Sequence, residues 1–424
     1  MTIRAVSSLT PAQRRLLRSQ NQSVAQPSAP VDEVKIQSQG NYREPNLAVT
    51  FMNDFNAQLG ISKAMKDEKN LLMAESSHSF FRATPALFFH DLHTTYQRES
   101  KLLPDPAPTV AILGDCHALN AGTFRGPDGK TVWGLNDFDQ AEMGSPEWDL
   151  ERLGVSLYVA ARSAGSSSEE SKDLVQTMGK AYLKGLEQSG PSFISEQEAS
   201  GEIQRLIGKY QSKDQEGLLR KWTTDGARKL KRDNKLVEPE KKRGAQISAA
   251  LNETFPELEF LDLASKPHSG GSTRGLERYY ALVRSEDREE PWILETKAVL
   301  PSPVQVPDGD LGRGDGQRVL ELQGRMGGQV DDRHRAFRLG NTAFFTRERE
   351  REKGSLEEKP EHLKESAEAI GQLLARAHNQ SGADIKGWIG YREKPFLGKL
   401  VRFSQQYARQ VESDFREWQS RYSG

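Results

Sequence analysis

The chain has 424 residues, a formal net charge of −1 and one cysteine. Near-zero net charge removes any global electrostatic reason to bind nucleic acid or an anionic membrane, and a lone cysteine excludes an intrachain disulfide framework, which fits a reducing compartment. With 35% hydrophobic and 28% charged residues, a packed core is expected beside long solvated stretches, and no apolar run is long enough to span a bilayer.

In chain order, residues 1 to about 45 are Ser, Gln, Pro and charge without periodicity, and read as a disordered tail. They hold no apolar h-region, so no signal peptide is read and the expected location is the cytoplasm. From Asn53 to Tyr96 the pattern is helical, with Ser77 or Ser79 as N-cap candidate in "SSHSFFRATPALFFHDLHTTY". "TVAILGD", 109–115, is a short buried strand. "KTVWGLNDFDQA", 130–141, is a second, with "GPDG" as a turn before it. "SPEWDLERLGVSLYVAARSAG", 145–165, is an amphipathic helix with Ser145 as N-cap and Pro146 at its first position. Residues 212–247, with "RKLKRDNKLVEPEKKRG", read as a solvated connector and the expected lobe boundary.

Beyond it the texture changes. "FLDLASKPHSGGSTRGLERYYALVR", 260–284, is strand, Gly-rich turn, strand. "PWILETKAVLPS", 291–302, is a strand carrying Lys297 among apolar neighbours, and "GDGQRVLELQGRMGG" is a helix carrying Glu321. "TAFFTRERE" is a strand, and the charge at 347–355 after it reads as a solvated loop. "EHLKESAEAIGQLLARAHNQSGAD" and "LGKLVRFSQQYARQVESDFREWQSRY" are helices.

Two constellations carry chemistry. In "LGDCHALN" the first strand delivers Asp115, His117 and Asn120, and the second delivers Asn136, Asp137 and Asp139. Carboxylates at the ends of adjacent strands can converge, and an oxygen set of Asn120, Asp137 and Asp139 suits Mg²⁺, which substrate phosphates usually complete. Asx residues after strands also serve plain turns. In the second half, the Gly-rich turn (Gly270, Gly271, Ser272, Thr273), the strand lysine Lys297 and the helix acid Glu321 follow one another as the parts that hold ATP in a kinase, where the lysine grips phosphates and the glutamate holds the lysine. The base-like motif comes first here, the reverse of the ordinary order. A circular permutation resolves this, with the cut after "AIGQLLARAHNQSGAD".

These same residues carry a resemblance. "GDCHALNAGTF…WGLNDFDQAEMGSPEWDLERLGVSLYVAAR" resembles the signature of bacterial domain-of-unknown-function family 2252. "SSHSFFR", "GGSTRGLERYYALV", "ILETKAVLPS", "GQRVLELQ", "FFTRERE" and "LLARAHNQSGAD" resemble its other blocks, in the same order over residues 70–424. The family is similar to the protein-kinase-like and aminoglycoside-phosphotransferase-like fold. The resemblance implies an α+β, two-lobed kinase-like fold in circularly permuted order. It implies Asp115 as base, Asn120 as a metal ligand, Asp137 as the main metal ligand, and His117 and Asp149 as supports. Leu113 stands where the first His of that loop is found in such enzymes.

The expected organisation is a tail (1–45), a catalytic and metal-binding part of a helical lobe (46–250), a sheet lobe with turn, lysine and glutamate (255–350), and C-terminal helices returning to the first lobe (355–424). The expected activity is ATP- and Mg²⁺-dependent phosphoryl transfer to an unidentified hydroxyl. The alternatives are a nucleotide-binding pseudokinase, a nucleotidyl transferase, and a metal phosphoesterase, whose later motifs are missing. His90 and His93 read as surface residues and Cys116 as a small filler. Arg82 could clamp a phosphate or brace the catalytic loop.

Overall fold

The helical run expected from Asn53 to Tyr96 starts earlier and is broken three times. The computed structural model describes residues 43–268, 273–305, 312–350, 354–357 and 359–423. The tail to residue 42 and Gly270, Gly271 and Ser272 lie outside them. Helices α1 (Pro45–Gln58), α2 (Lys63–Met73), α3 (Ser77–Ala83) and α4 (Pro85–His93) follow in order. Gly60 takes a left-handed φ of 66° after α1, the usual way to stop a helix. The cap of α3 is Ser76, whose extended backbone lets its hydroxyl accept from Ser79 N, so neither Ser77 nor Ser79 is the N-cap. Pro85 forces Thr84 out of helical geometry and separates α3 from α4. Arg43, assigned to the tail, is buried instead: it holds Asp91 of α4 at 2.8 Å and Asp414 near the C-terminus at 2.7 Å.

Strands β1 (Val110–Ile112), β2 (Ala121–Arg125), β3 (Thr131–Leu135) and β4 (Glu142–Gly144) come next. β1 pairs with β4, whereas β3 pairs with β2 and with β5 (Phe193–Ile194). The two strands expected as neighbours therefore lie in different ladders, because the unforeseen β2 takes the place beside β3. Helix α5 (Pro146–Ser163) begins as expected, with Ser145 accepting from Glu147 N and Pro146 in the first turn. It is buried on most sides, packed against α6 (Ser168–Gly185).

The charged stretch 212–247 is not a solvated connector. Past α7 (Gly201–Gln211) it forms α8 (Gln215–Trp222), the short pair β6 (Thr223–Thr224) and β7 (Lys229–Leu230), and the start of α9 (Lys241–Thr254). These elements cover a five-stranded antiparallel sheet made of β8 (Glu259–Ser265), β9 (Arg278–Ser285), β10 (Arg288–Val299), β11 (Arg335–Leu339) and β12 (Thr342–Glu348). Its order is β8-β9-β10-β12-β11, and α10 (Gly316–Arg325) lies in the chain between β10 and β11. Alternate residues face opposite sides. Tyr279, Ala281, Trp292, Leu294 and Phe344 pack on Ile247 and Leu251 of α9 and on Phe255 just after it. Tyr280, Leu282 and Ile293 pack on Leu219, Trp222, Leu230 and Leu236 from the charged stretch. Lys and Arg dominate its composition, but four well-spaced apolar residues fix its position. Residues 215–254 thus pack with the sheet.

Helices α11 (Pro360–Asn379), α12 (Ile385–Ile389) and α13 (Glu393–Tyr422) close the chain. α11 packs on α6, and α13 on α5, α6 and α1, so the first and last parts of the chain share one core. The fold is mixed α+β, and Asn41–Gly424 forms one unit. Among the described residues no helix is long and apolar enough to cross a membrane.

Candidate functional site

Loop 113–120 is held by buried groups from three helices. Gly114 has φ of 71°, and a Cβ there would lie 2.2 Å from the Gln140 carbonyl oxygen, so only glycine fits. Asp149, in the first turn of α5, accepts the N–H groups of Leu113 at 2.6 Å and Gly114 at 3.0 Å. His378 at the end of α11 lies 3.3 Å from the same carboxylate and 2.9 Å from the Tyr182 hydroxyl. Asp149 is thus a support, as expected, and His378 and Tyr182 extend that support unforeseen. Ser156 of α5 accepts from Ala118 N at 3.1 Å.

Asp115 does not stand alone. Its Oδ1 accepts from Arg152 Nε at 2.9 Å, and Arg152, fully buried, also donates to the Phe81 carbonyl and stacks 3.9 Å over the Phe81 ring. Burial pushes the Asp115 carboxyl up to about 6; Arg152 pulls it back and the nearby Asp137 charge adds to the rise. Burial, with Arg82, His78 and Arg152 around it, drives His117 well below its ordinary value, so its imidazole is neutral. Nδ1 of His117 accepts from Leu119 N at 3.2 Å, which leaves the proton on Nε2. Cys116 is buried, and burial beside two carboxylates raises its thiol well above the ordinary range, as befits a filler.

The β2–β3 hairpin brings the second group in. Ala121 faces Leu135 in its register, and Asn136 N donates to Asn120 O at 3.3 Å, so Asn120 and Asn136 sit side by side at its open end. Asn120 Nδ2 donates to Asp115 O at 2.5 Å. Asp137 and Asp139 follow. Lys297 reaches across from β10, with Nζ 2.5 Å from Asp139 and 4.0 Å from Asp137. Against burial, Lys297 and Arg347 hold the Asp139 carboxyl below its usual range.

The Lys297–Glu321 ion pair does not form. The buried side of α10 is Gly316, Val319, Leu322 and Gln323. Glu321 points away from it, into a shallow groove with Gln317, Leu320 and His334. What α10 contributes is Arg318, which donates to the carbonyls of Asp139, Ala141 and Leu300 and so braces the loop carrying the carboxylates. Asp139, expected as a metal ligand, is the nearer partner of the lysine. Arg347 was missed. It faces Glu295 in the β10–β12 register and lies 3.6 Å from it, while Arg278 of β9 lies 3.4 Å from the same carboxylate. Far from a solvated loop, Arg347 is held charged against burial by Glu295, Asp139 and Asp137. Thr273 lies in the described part of the Gly-rich turn, just before β9. His90 packs on Phe51, and His93 Nδ1 donates to the Phe89 carbonyl at 2.7 Å.

Between the hairpin and the sheet lies a cavity of ≈ 60 Å³, lined by Thr123, Leu135, Asn136, Glu295, Arg347 and Glu350 among others. That admits a few waters, far below the ~300 Å³ of an ordinary small-molecule site. Among the described residues, no group of three His, Cys, Asp or Glu side chains is assembled to hold a metal ion. The Asp137 side chain is 51% exposed, and Asn120, buried at the same end of the hairpin, is its nearest candidate oxygen co-donor by chain position. Magnesium commonly uses one or two carboxylates and takes the rest of its shell from phosphates and water.

No curated protein and no solved structure matches the chain. The family described as uncharacterized protein conserved in bacteria (DUF2252) matches residues 64–421, and the chain belongs to that family.

Proposed function

We propose that the protein is an ATP- and Mg²⁺-dependent phosphotransferase, built as a kinase-like two-lobed fold in permuted order. One observation carries this. A lysine on the third strand of the sheet meets, within 2.5 Å and 4.0 Å, two carboxylates delivered from about 160 residues earlier in the chain. A buried lysine facing two acids, one of them half-exposed, is the arrangement that lets phosphates enter between cation and metal.

Other features agree. The Gly-rich turn joins the first two strands of the sheet, Lys297 lies on the third, and a helix follows it, the sequence of parts that grips ATP phosphates in kinases. α11 ends against β1, where Ala111 N donates to Ser381 Oγ at 2.9 Å. It thereby leads spatially into the catalytic loop that it would precede in unpermuted order.

In this mechanism Asp137 and Asn120 would hold Mg²⁺, which neutralises charge on the transferring phosphate. Lys297 orients the phosphates, exchanging part of its contact with Asp139 for them. Asp115 receives the proton of the acceptor hydroxyl as that oxygen bonds to phosphorus, and ADP leaves. A carboxyl raised to about 6 is ionised at neutral pH yet more basic than an ordinary aspartate, which suits a general base. Arg152 fixes its orientation. His117, neutral, braces the loop. The cavity of ≈ 60 Å³ requires sheet and hairpin to part before a nucleotide enters.

A second reading is a module that binds nucleotide without transferring phosphate. It is favoured by Glu321, which faces away from Lys297. Mass spectrometry of the protein and of cell extract incubated with Mg·ATP separates the two. A gain of phosphate on an acceptor is expected. Transfer of AMP would make it a nucleotidyl transferase, and binding without any transfer would leave the second reading.

A further inference from the structure

A larger hollow of ≈ 370 Å³, lined by residues of α2, α3 and the turn before β9, is not used by the mechanism above. Three cations from separate segments line it: Lys69 of α2, Arg82 of α3 and Arg274 of the turn before β9. Lys69 is 1% exposed. Burial of that kind strongly disfavours a charged amine, and its ammonium is pushed down to about 7. The Nε atoms of Arg82 and Arg274 are both buried with no hydrogen-bond partner. Among the described residues Arg82 forms no ion pair, whereas Arg274 is fixed by Glu68 at 2.7 Å, which also takes His268 at 2.9 Å. Ser79 adds a hydroxyl to the lining and Glu75 is its one acid. The hollow adjoins the catalytic loop, since the Arg82 charge acts on both Asp115 and His117.

A guanidinium with a buried, unmet N–H is costly. The unmet N–H groups of Arg82 and of the Glu68-paired Arg274 are both satisfied when a multivalent oxyanion fills the space and accepts from both arginines, since planar guanidinium forks match phosphate. We propose that this hollow binds a phosphate group, and that the group belongs to the acceptor, which is therefore a phosphorylated small molecule presenting its hydroxyl to Asp115. The phosphate site stands on the hollow alone; its assignment to the acceptor rests on the phosphotransferase reading. The terminal phosphate of the nucleotide is the competing source of the same chemistry.

The test is calorimetric titration of the full chain with inorganic phosphate, and separately with Mg²⁺ and a non-hydrolysable ATP analogue. The variants are Arg82→Gln, Arg274→Gln and Lys297→Met, each checked for an unchanged circular dichroism spectrum. Phosphate is expected to bind the wild type and Lys297→Met alike, and to bind Arg82→Gln and Arg274→Gln about 10-fold or more weakly, the scale of one charge-assisted hydrogen bond. It should still bind when the ATP analogue is saturating. No phosphate binding at tens of millimolar, or equal binding by all four proteins, would overturn the site. If the analogue displaces phosphate, the site is the nucleotide's and the acceptor assignment is wrong. If phosphate binds as described but the analogue does not bind at all, the phosphotransferase reading fails and the phosphate site survives.

Discussion

Asp115→Asn separates what this residue does for chemistry from what it costs the fold. In the unfolded chain its carboxyl titrates near 3.8, and in the folded protein burial lifts it to about 6 against the opposing pull of Arg152. The folded state therefore binds the proton more tightly, and stability falls as pH rises from about 4 to about 6, then stays low. The full difference is worth on the order of 3 kcal/mol at pH 7.5, falling to roughly half that at pH 5. Asparagine resembles the protonated acid, keeps an oxygen for Arg152, and does not ionise. The variant should thus be more stable than the wild type at pH 7.5 by up to ~3 kcal/mol, with the gap narrowing at pH 5. It should also lose roughly 10²-fold or more in turnover once the acceptor is known. Urea unfolding at both pH values, in metal-free buffer, reads the first effect. If the variant proves less stable at pH 7.5, the Arg152 pair outweighs burial, and Asp115 is an ordinary ion-paired carboxylate rather than a base held ready.

Lys297→Met leaves the Asp139 carboxylate without its partner 2.5 Å away and should destabilise by a few kcal/mol. Adding Asp139→Asn should restore stability in urea melts but not the rise in melting temperature caused by Mg·ATP; recovery of that rise would remove Lys297 from nucleotide binding. Asp137→Ala changes a half-exposed side chain, so the melting temperature without ligand should move little while the Mg·ATP-dependent shift disappears. An unaltered shift would exclude Asp137 as a metal ligand. Trp222→Ala empties the buried contact with Tyr280 at a ring distance of 5.2 Å and should cost roughly 3–5 kcal/mol. Hydrogen exchange should then quicken in β8 and β9, and exchange unchanged there would mean that the charged stretch does not support the sheet.

Much of the fold was legible because local patterns were strong. Alternation in "RYYALV" and "WILETKAV" marks strands that bury one residue set on each face, and these are β9 and β10. Ser145–Pro146 marks the start of α5 by cap and ring, and the helix begins there. Composition misled where a few apolar residues outweighed many charges. Residues 212–247 look solvated, yet Leu219, Trp222, Leu230 and Leu236 anchor them on the sheet. Pairing between distant strands was not legible either. Nothing local says that β1 takes β4 and β3 takes β2.

The same limit governs the site, and Lys297 illustrates it. A lysine amid apolar strand neighbours must find an acid, and that inference holds without coordinates. Which acid it finds is a matter of facing, not of spacing. Glu321 stood at a plausible distance along the chain, but helical geometry turns it away from Val319 and Leu322, the side that α10 buries. Asp139 stood about 160 residues away and meets the lysine at 2.5 Å, because a hairpin carries it there and Arg318 holds its loop. Strand register would have found Arg347: it lies two residues from Phe345, which faces Lys297, just as Glu295 lies two residues from Lys297. Opposite charges at facing, same-side positions of neighbouring strands are a readable signal once the strands are paired. Arg152 had no such signal. Its position follows from how α5 packs against loop 113–120, and only the fold puts it beside Asp115. The candidate site residues stood out as residue types, whereas their buried neighbours were fixed by which face of which element meets another.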